Sequence, residues 1–157
     1  MKMAEEELVG KLTKGLRGLA QKIECSKDRR IFIEVARESL IDVVKHLKEE
    51  YDGYHLTTIT ATDAGEQIEL LYHIVAADKL CTLRTKLPKS DPSVDTITGV
   101  IPGAVLYERE IHDIMGVKVK GHPDMRILLL PDSWGNKGFP LRKDWVDPRK
   151  VKQGGDA

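Results

Sequence analysis

The segment of residues 107–145 constrains this chain most, because it concentrates charged and turn-forming residues at special positions. Tyr107, Ile111 and Ile114 follow one another at i, i+4 and i+7, which predicts one apolar stripe along a helix. Pro102 suits the first turn of this helix, and Gly116 suits a left-handed cap at its C-terminus. The rest of the helix surface is predicted to carry Glu108, Arg109, Glu110, His112 and Asp113.

Three short features are predicted to follow the helix. Apolar and basic residues alternate over residues 117–120, which indicates a short edge-like strand. Residues 121–124 form a Gly-His-Pro-Asp turn. Residues 127–130 are a continuous apolar run before Pro131, and we expect a short strand there because the run is too apolar to be left exposed.

Three blocks of this segment resemble the signature of the NuoC family, the thirty-kilodalton subunit of NADH-quinone oxidoreductase and of related membrane-bound hydrogenases. The first block contains Glu108, Arg109, Glu110, Asp113, Gly116 and Val117. The second contains Gly121, His122, Pro123, Asp124, Met125 and Arg126, and the third Gly138, Pro140, Leu141, Arg142, Lys143 and Asp144. The chain departs from the pattern at Ile127, where the family usually has an arginine, and at Phe139, where it usually has a histidine.

The N-terminal part predicts alternating helices and strands, in an order that also agrees with the family. An amphipathic helix is predicted near residues 4–22, a strand over 31–35 and a second helix from 40 to about 51. Three strands are predicted over residues 54–62, 67–75 and 80–87. We therefore predict an α+β fold: a small, mostly antiparallel sheet with helices packed on it, plus a C-terminal extended docking segment. Residues 1–145 are expected to form a single domain, and residues 146–157 a basic, glycine-ended tail.

Composition argues against several classes of function. The 25 basic residues balance the 25 acidic ones, so no net charge favours nucleic acid. The two cysteines, Cys25 and Cys81, cannot supply the ligands of an iron–sulfur cluster or a structural zinc site, and we expect two buried, reduced thiols. No apolar run reaches the length of a transmembrane helix and the N-terminus lacks the apolar core of a signal peptide, so a soluble chain on the cytoplasmic side is expected.

One constellation keeps an enzymatic alternative open. Glu108 and His112 lie one helical turn apart, and with His122 and Asp124 they could form a metal site. This alternative is a free-standing metal-dependent enzyme that uses Glu108, His112 and His122. The simpler interpretation is a surface helix whose charges pair with Arg109 and with a partner protein.

The family resemblance implies a structural and assembly subunit without catalytic residues, cofactor or metal. Such a subunit docks the large NuoD-like or NiFe-hydrogenase-type catalytic subunit, lies near the small iron–sulfur subunit and keeps the electron-transfer module in register. It is a peripheral part of a membrane complex on the cytoplasmic side of the cell membrane. That complex is a membrane-bound hydrogenase, a sulfur-reducing relative or an NADH-quinone oxidoreductase, and the short extension after Trp145 favours the first two.

The docking surface is expected to use the charged residues of the three blocks. They are Glu108, Arg109, Asp113, His122, Asp124, Arg126, Arg142, Lys143 and Asp144. Buried at an interface, such charges contribute orientation more than affinity. Residues 137–152 are predicted to be a basic docking arm with few ways to pack on its own domain, in which Arg142 pairs with a carboxylate of the large subunit.

Overall fold

The computed structural model describes residues 5–26 and 30–151, which form both helices and strands. The helices are α1 (Glu5–Gly15), α2 (Leu40–Tyr51), α3 (Ala104–Met115) and α4 (Pro148–Val151). The strands are β1 (Ala20–Cys25), β2 (Arg30–Val35), β3 (His55–Asp63), β4 (Gln67–Ala76), β5 (Lys79–Pro88), β6 (Ser93–Asp95) and β7 (Lys118–Lys120). The predicted α+β fold is confirmed.

The main sheet has five strands in the order β1-β2-β5-β4-β3. Strands β3, β4 and β5 form the predicted antiparallel meander, and β1 pairs antiparallel with β2. Only the pair of β2 and β5 is parallel among these, because α2 and the β3–β4 hairpin separate the two strands in sequence. The sheet is therefore mostly antiparallel, as predicted.

The hydrophobic core is built from alternate strand positions packed against the apolar stripes of the helices. On β4, Ile68, Leu70, Tyr72 and Ile74 are fully buried while the residues between them are not. Helices α1 and α2 contribute Leu8, Leu12, Leu40, Val43, Val44 and Leu47 to the same cluster. Full burial of one such side chain stabilises the fold by about 1.5–3 kcal/mol.

The structure corrects the predicted first helix, because α1 ends at Gly15 and the chain enters β1 at Ala20. Leu19 therefore lies in a turn and Ile23 on a strand, where it pairs with Ile33. Gly18, with a φ of +84°, adopts the left-handed conformation that ends the helical path. Strand β1 also leaves Cys25 exposed, so the expectation of two buried thiols is correct only for Cys81.

A second sheet, of the two parallel strands β6 and β7, joins the segment before α3 to the segment after it. Val117, directly after α3, is buried, and β7 then pairs with β6 through the register of Val94 with Val119. The chain beyond β7 is largely irregular. Residues 127–130, predicted to be a strand, form no strand, and residues 128–130 are bends. Of the predicted tail, residues 152–157 lie outside the described part of the chain, and its division from the domain stays a prediction. No helix of the described residues is long and apolar enough to cross a membrane.

Candidate functional site

Helix α3 carries the first group of predicted site residues, and two of them are not on the surface where the sequence placed them. Glu108 is 1% exposed and Asp113 is 4% exposed, so both carboxylates lie inside the chain's own fold. A buried carboxylate is costly unless hydrogen bonds satisfy its oxygens. Both are satisfied by backbone amides of other segments, which the spacing of charges along one helix does not reveal.

Glu108 fastens the loop after β6 onto α3. Its Oε1 accepts a hydrogen bond from the backbone N–H of Ile97 at 2.8 Å, and its Oε2 accepts one from the hydroxyl of Thr96 at 2.5 Å. Burial raises the pKa of Glu108 above its ordinary value, although these hydrogen bonds oppose the shift. Glu108 therefore stabilises the packing of this loop on α3, and its carboxylate is not exposed at the surface as a metal ligand.

His122 closes the Gly-His-Pro-Asp turn over the beginning of α3. Its Nδ1 accepts a hydrogen bond from the backbone N–H of Asp124 at 3.0 Å, so the ring proton lies on Nε2, which donates to the carbonyl of Val105 at 3.1 Å. The side chain is 1% exposed, and its Nε2 lies 3.8 Å from Oε2 of Glu108. Both ring nitrogens are thus occupied by the chain's own backbone, which makes His122 a buried positioning residue.

Asp124 and Arg126 form an ion pair at the outer side of this turn. Two hydrogen bonds of 2.7 and 2.8 Å join the guanidinium to the carboxylate, and they lower the pKa of Asp124 to about 2. The side chain of Arg126 is 81% exposed. Exposed pairs contribute little to stability, so these two charges remain available as part of a surface.

Arg109 and Asp113 hold the backbone of an exposed apolar loop. One oxygen of Asp113, Oδ2, accepts the backbone N–H of Leu128 at 2.7 Å and that of Leu129 at 2.8 Å. Arg109 donates to the carbonyl oxygens of Arg126 at 2.7 Å and of Ile127 at 2.9 Å. Because these bonds fix the peptide groups to α3, the loop keeps one conformation without burying its side chains.

The side chains of this loop form what we call the apolar strip: Ile127, Leu128 and Leu129. They are 50%, 38% and 55% exposed, respectively. The expectation that residues 127–130 would be buried as a strand is therefore wrong for these three residues. Adjacent large apolar side chains held in solvent are typical of interaction surfaces.

The C-terminal turn is attached to the far end of α3. Arg142 donates from Nε to the carbonyl of Met115 at 2.7 Å, and its guanidinium lies 4.7 Å from the centre of the Phe139 ring. The Phe139 ring packs so closely on Gly116 that a Cβ there would clash, and Gly116 has the predicted left-handed φ of +69°. The expectation that this segment has few ways to pack on its own domain is thus wrong at Arg142, which caps a helix of its own chain, and its pairing with a partner carboxylate stays a prediction.

Asp63, at the end of β3, ties the same turn to the main sheet and was not predicted as a site residue. Its buried carboxylate accepts the backbone N–H of Lys143 at 2.9 Å, that of Gly65 at 2.9 Å and the ammonium of Lys89 at 2.7 Å. The hydrogen bond from Lys89, followed by those from the two amides, holds the pKa of Asp63 well below its ordinary value. Lys89 also lies 3.2 Å from the exposed Asp144. The sequence carries no signal for this role of Asp63, because its partner Lys143 is 80 positions away.

A cavity of about 350 Å³ lies between α3 and the loops that follow it. Its lining consists of His112, Asp113, Ile127, Leu130, Trp134, Gly135, Asn136, Gly138 and Phe139. Both positions at which the sequence departs from the family pattern, Ile127 and Phe139, therefore lie on one cavity and make it more apolar. Trp134 stacks on Trp145 with ring centres 5.7 Å apart.

The predicted site residues thus divide into separate groups. Glu108 and His122 meet inside the fold, Arg109 and Asp113 meet at the loop, and Arg142, Lys143 and Asp144 form the C-terminal turn with Asp63. The metal-site alternative is not favoured. No three histidine, cysteine or acidic side chains gather into a metal-binding group within residues 5–26 and 30–151, and Nδ1 of His112 is hydrogen-bonded to the carbonyl of Val117 at 2.8 Å.

Comparison with known proteins supports the family resemblance. The family model described as the respiratory-chain NADH dehydrogenase, 30 kDa subunit, matches residues 33–150. The NuoC protein of the NADH-quinone oxidoreductase of Geobacter sulfurreducens is 38% identical over 122 residues, which cover 73% of this chain and 74% of that protein. The fused NuoC/NuoD protein of Methylococcus capsulatus is 32% identical over 119 residues, which cover 67% of this chain but 20% of that longer protein.

A solved structure matches nearly the whole chain. One chain in the structure of the membrane-bound sulfane sulfur reductase, described as an archaeal respiratory membrane complex, superposes with a TM-score of 0.82 at 26% identity. The match covers 94% of this chain and 88% of that chain. This protein therefore belongs to the family of the 30 kDa subunit of respiratory-chain NADH dehydrogenase.

Proposed function

We propose that this chain is the docking and assembly subunit of a membrane-anchored oxidoreductase complex and binds the large NuoD-like catalytic subunit through the apolar strip. The observation that carries the proposal is the presentation of Ile127, Leu128 and Leu129 in solvent. Their loop is held by hydrogen bonds that Arg109 donates and that Asp113 accepts. A chain that only folded on its own would gain nothing from a rigid loop with exposed leucines. Burial of the exposed part of each side chain against a partner would contribute roughly 1 kcal/mol.

The nature of the partner is inferred from the relatives. In Methylococcus capsulatus the NuoC and NuoD parts bear one joint name as a single protein, and the match to this chain covers only a fifth of it. A fusion of two subunits indicates that they are neighbours in their complex, which makes a NuoD-like chain the first candidate partner here. The likeness to a chain of an archaeal respiratory membrane complex supports membership of a membrane-associated complex. In this proposal the chain is peripheral, at the cytoplasmic side of the membrane, in a hydrogenase-like or sulfur-reducing complex.

The buried and exposed charges then have different tasks. Glu108, His122 and Arg142 hold the loops in place from inside, whereas Asp124, Arg126, Lys143 and Asp144 remain at least partly exposed around the turns. Exposed charges around an apolar centre affect the rate and orientation of association more than its strength. In this proposal the chain holds no cofactor of its own, and the nearness of the small iron–sulfur subunit stays a prediction.

Co-purification with the large subunit tests the proposal. Leu129→Ser should reduce the recovered large subunit, because it removes an exposed anchor without touching the backbone hydrogen bond to Asp113. Tyr54→Ser is the matched control: Tyr54 is 65% exposed but lies in the turn between α2 and β3, outside the site. Equal recovery with both variants would reject the apolar strip as the docking surface, and a lone, metal-loaded, catalytically active chain would reject the assembly role itself.

A further inference from the structure

We propose that the cavity beside the apolar strip receives one aromatic or large aliphatic side chain of the large subunit, flanked by an acidic residue. This inference rests on the proposed function and specifies the chemistry of the partner segment. The cavity, of about 350 Å³, lies in the size range of sites that enclose a ligand group. Partner side chains that insert into such cavities usually dominate the strength of an interface.

The lining favours an apolar guest. Ile127, Leu130, Trp134 and Phe139 supply large apolar walls. The polar group of Asp113 within this lining is already engaged, because its carboxylate accepts two backbone amides of the loop. The other polar side chains of the lining are His112, whose Nδ1 is hydrogen-bonded to the carbonyl of Val117, and Asn136. A polar side chain of the partner would therefore find few replacements for its hydrogen bonds to water, whereas an apolar side chain has no such bonds to lose.

The walls are held in place by the chain itself. Trp134 donates from Nε1 to the carbonyl of Gly138 at 2.8 Å and stacks on Trp145, which in turn donates to the carbonyl of Lys137 at 2.6 Å. The Phe139 ring is held between Gly116 and the guanidinium of the C-terminal turn. A cavity whose walls are already ordered costs little conformational entropy when a guest enters.

The cavity is continuous with the apolar strip, because Ile127 belongs to both. The segment that contains and follows the last lining residues is basic. Residues 137–150 contain five basic side chains (Lys137, Arg142, Lys143, Arg149, Lys150) and two acidic ones (Asp144, Asp147). At the rim, the ammonium of Lys137 lies 5.9 Å from the centre of the Trp134 ring. An acidic residue next to the apolar anchor would therefore meet a complementary charge.

Fluorine NMR of the full chain, labelled with fluorotryptophan, tests the inference directly. The chain has two tryptophans, so it gives two signals, and Trp145→Phe assigns the signal of Trp134. On addition of the purified, unlabelled large subunit, the Trp134 signal should shift and lose its dependence on solvent H₂O or D₂O. If the two chains associate while this signal keeps its position and its solvent dependence, the inference is overturned and the proposed function stands. If they do not associate, both are overturned.

A cavity-filling variant provides the second measurement. Leu130→Trp should occupy the space from inside and weaken binding of the large subunit by about 30-fold, the size expected for loss of a dominant anchor. Tyr54→Trp, remote from the cavity, should leave the affinity unchanged. Unchanged affinity with a folded Leu130→Trp chain would overturn the inference.

Discussion

Asp113 should control the order of the loop that carries the apolar strip. In the structure one carboxylate oxygen accepts both backbone amides, of Leu128 and of Leu129, at 2.7 and 2.8 Å. A hydrogen bond to a charged group contributes about 1.5–3 kcal/mol when its partners cannot turn to water. Because Leu128 and Leu129 are partly exposed, water can replace the carboxylate, and we expect Asp113→Ala to weaken the closed loop by about 1.5–3 kcal/mol for both bonds together.

Amide hydrogen exchange measures this effect at the two groups concerned. In the unaltered chain both amides should be protected, and in Asp113→Ala their exchange should be roughly 10- to 150-fold faster, which is the same free energy expressed as a rate ratio. Asp113→Asn should give an intermediate rate, because its amide oxygen can still accept but carries no charge. The amide of Ile97, held by Glu108, is the internal control and should not change. Rapid exchange of Leu128 and Leu129 already in the unaltered chain would refute the reasoning.

Glu108, Gly116 and Arg142 each join α3 to a neighbouring loop or turn, and substitution of each should change the stability of the chain. Burial raises the pKa of Glu108, so the folded chain binds this proton more tightly than the unfolded chain. The contribution of Glu108 to the free energy of unfolding is therefore greatest at a pH below 4.5, its ordinary pKa, and declines as the pH rises through the pKa of the folded state. Glu108→Gln should abolish this part of the pH dependence in denaturant titrations. An unchanged dependence of stability on pH would contradict the prediction. Gly116→Ala should destabilise by roughly 2–5 kcal/mol in the same assay, from its φ of +69° and the clash with Phe139, and Phe139→Ala should recover part of the loss. Arg142→Ala should lower the free energy of unfolding of the isolated chain by about 1.5–3 kcal/mol, because it removes the hydrogen bond to the carbonyl of Met115. Unchanged stability together with lost binding of the large subunit would instead indicate that Arg142 pairs with a carboxylate of that subunit.

The sequence predicts the regular elements well wherever one periodicity continues unbroken. The alternation on β4 and the stripe on α2 predict strands and helices close to the observed bounds. The apolar spacing predicts too long a first helix, because Leu19 and Ile23 continue the helical spacing by chance on either side of β1's start. Strand pairing with β2 overrides this spacing after Gly18.

The candidate site was predicted in composition but not in arrangement. Which charges are buried depends on which distant backbone amides reach them: Ile97 for Glu108, Leu128 for Asp113 and Lys143 for Asp63. Backbone amides are present at every residue except proline, so the sequence carries no signal for such pairings. The apolar run at residues 127–130 predicts a buried strand that the structure does not contain. An apolar run is as typical of a surface that a partner protein covers as of the chain's own core.

A double-mutant cycle in affinity for the large subunit tests most directly whether Asp113 serves docking by presenting Leu129. Asp113→Ala, Leu129→Ala and the double variant are titrated against the purified partner. If Asp113 acts through Leu129, the double variant should bind no more weakly than the weaker single variant, with a coupling of about 1 kcal/mol or more. Losses that add to within about 0.5 kcal/mol, or single variants that bind as tightly as the unaltered chain, would contradict the claim.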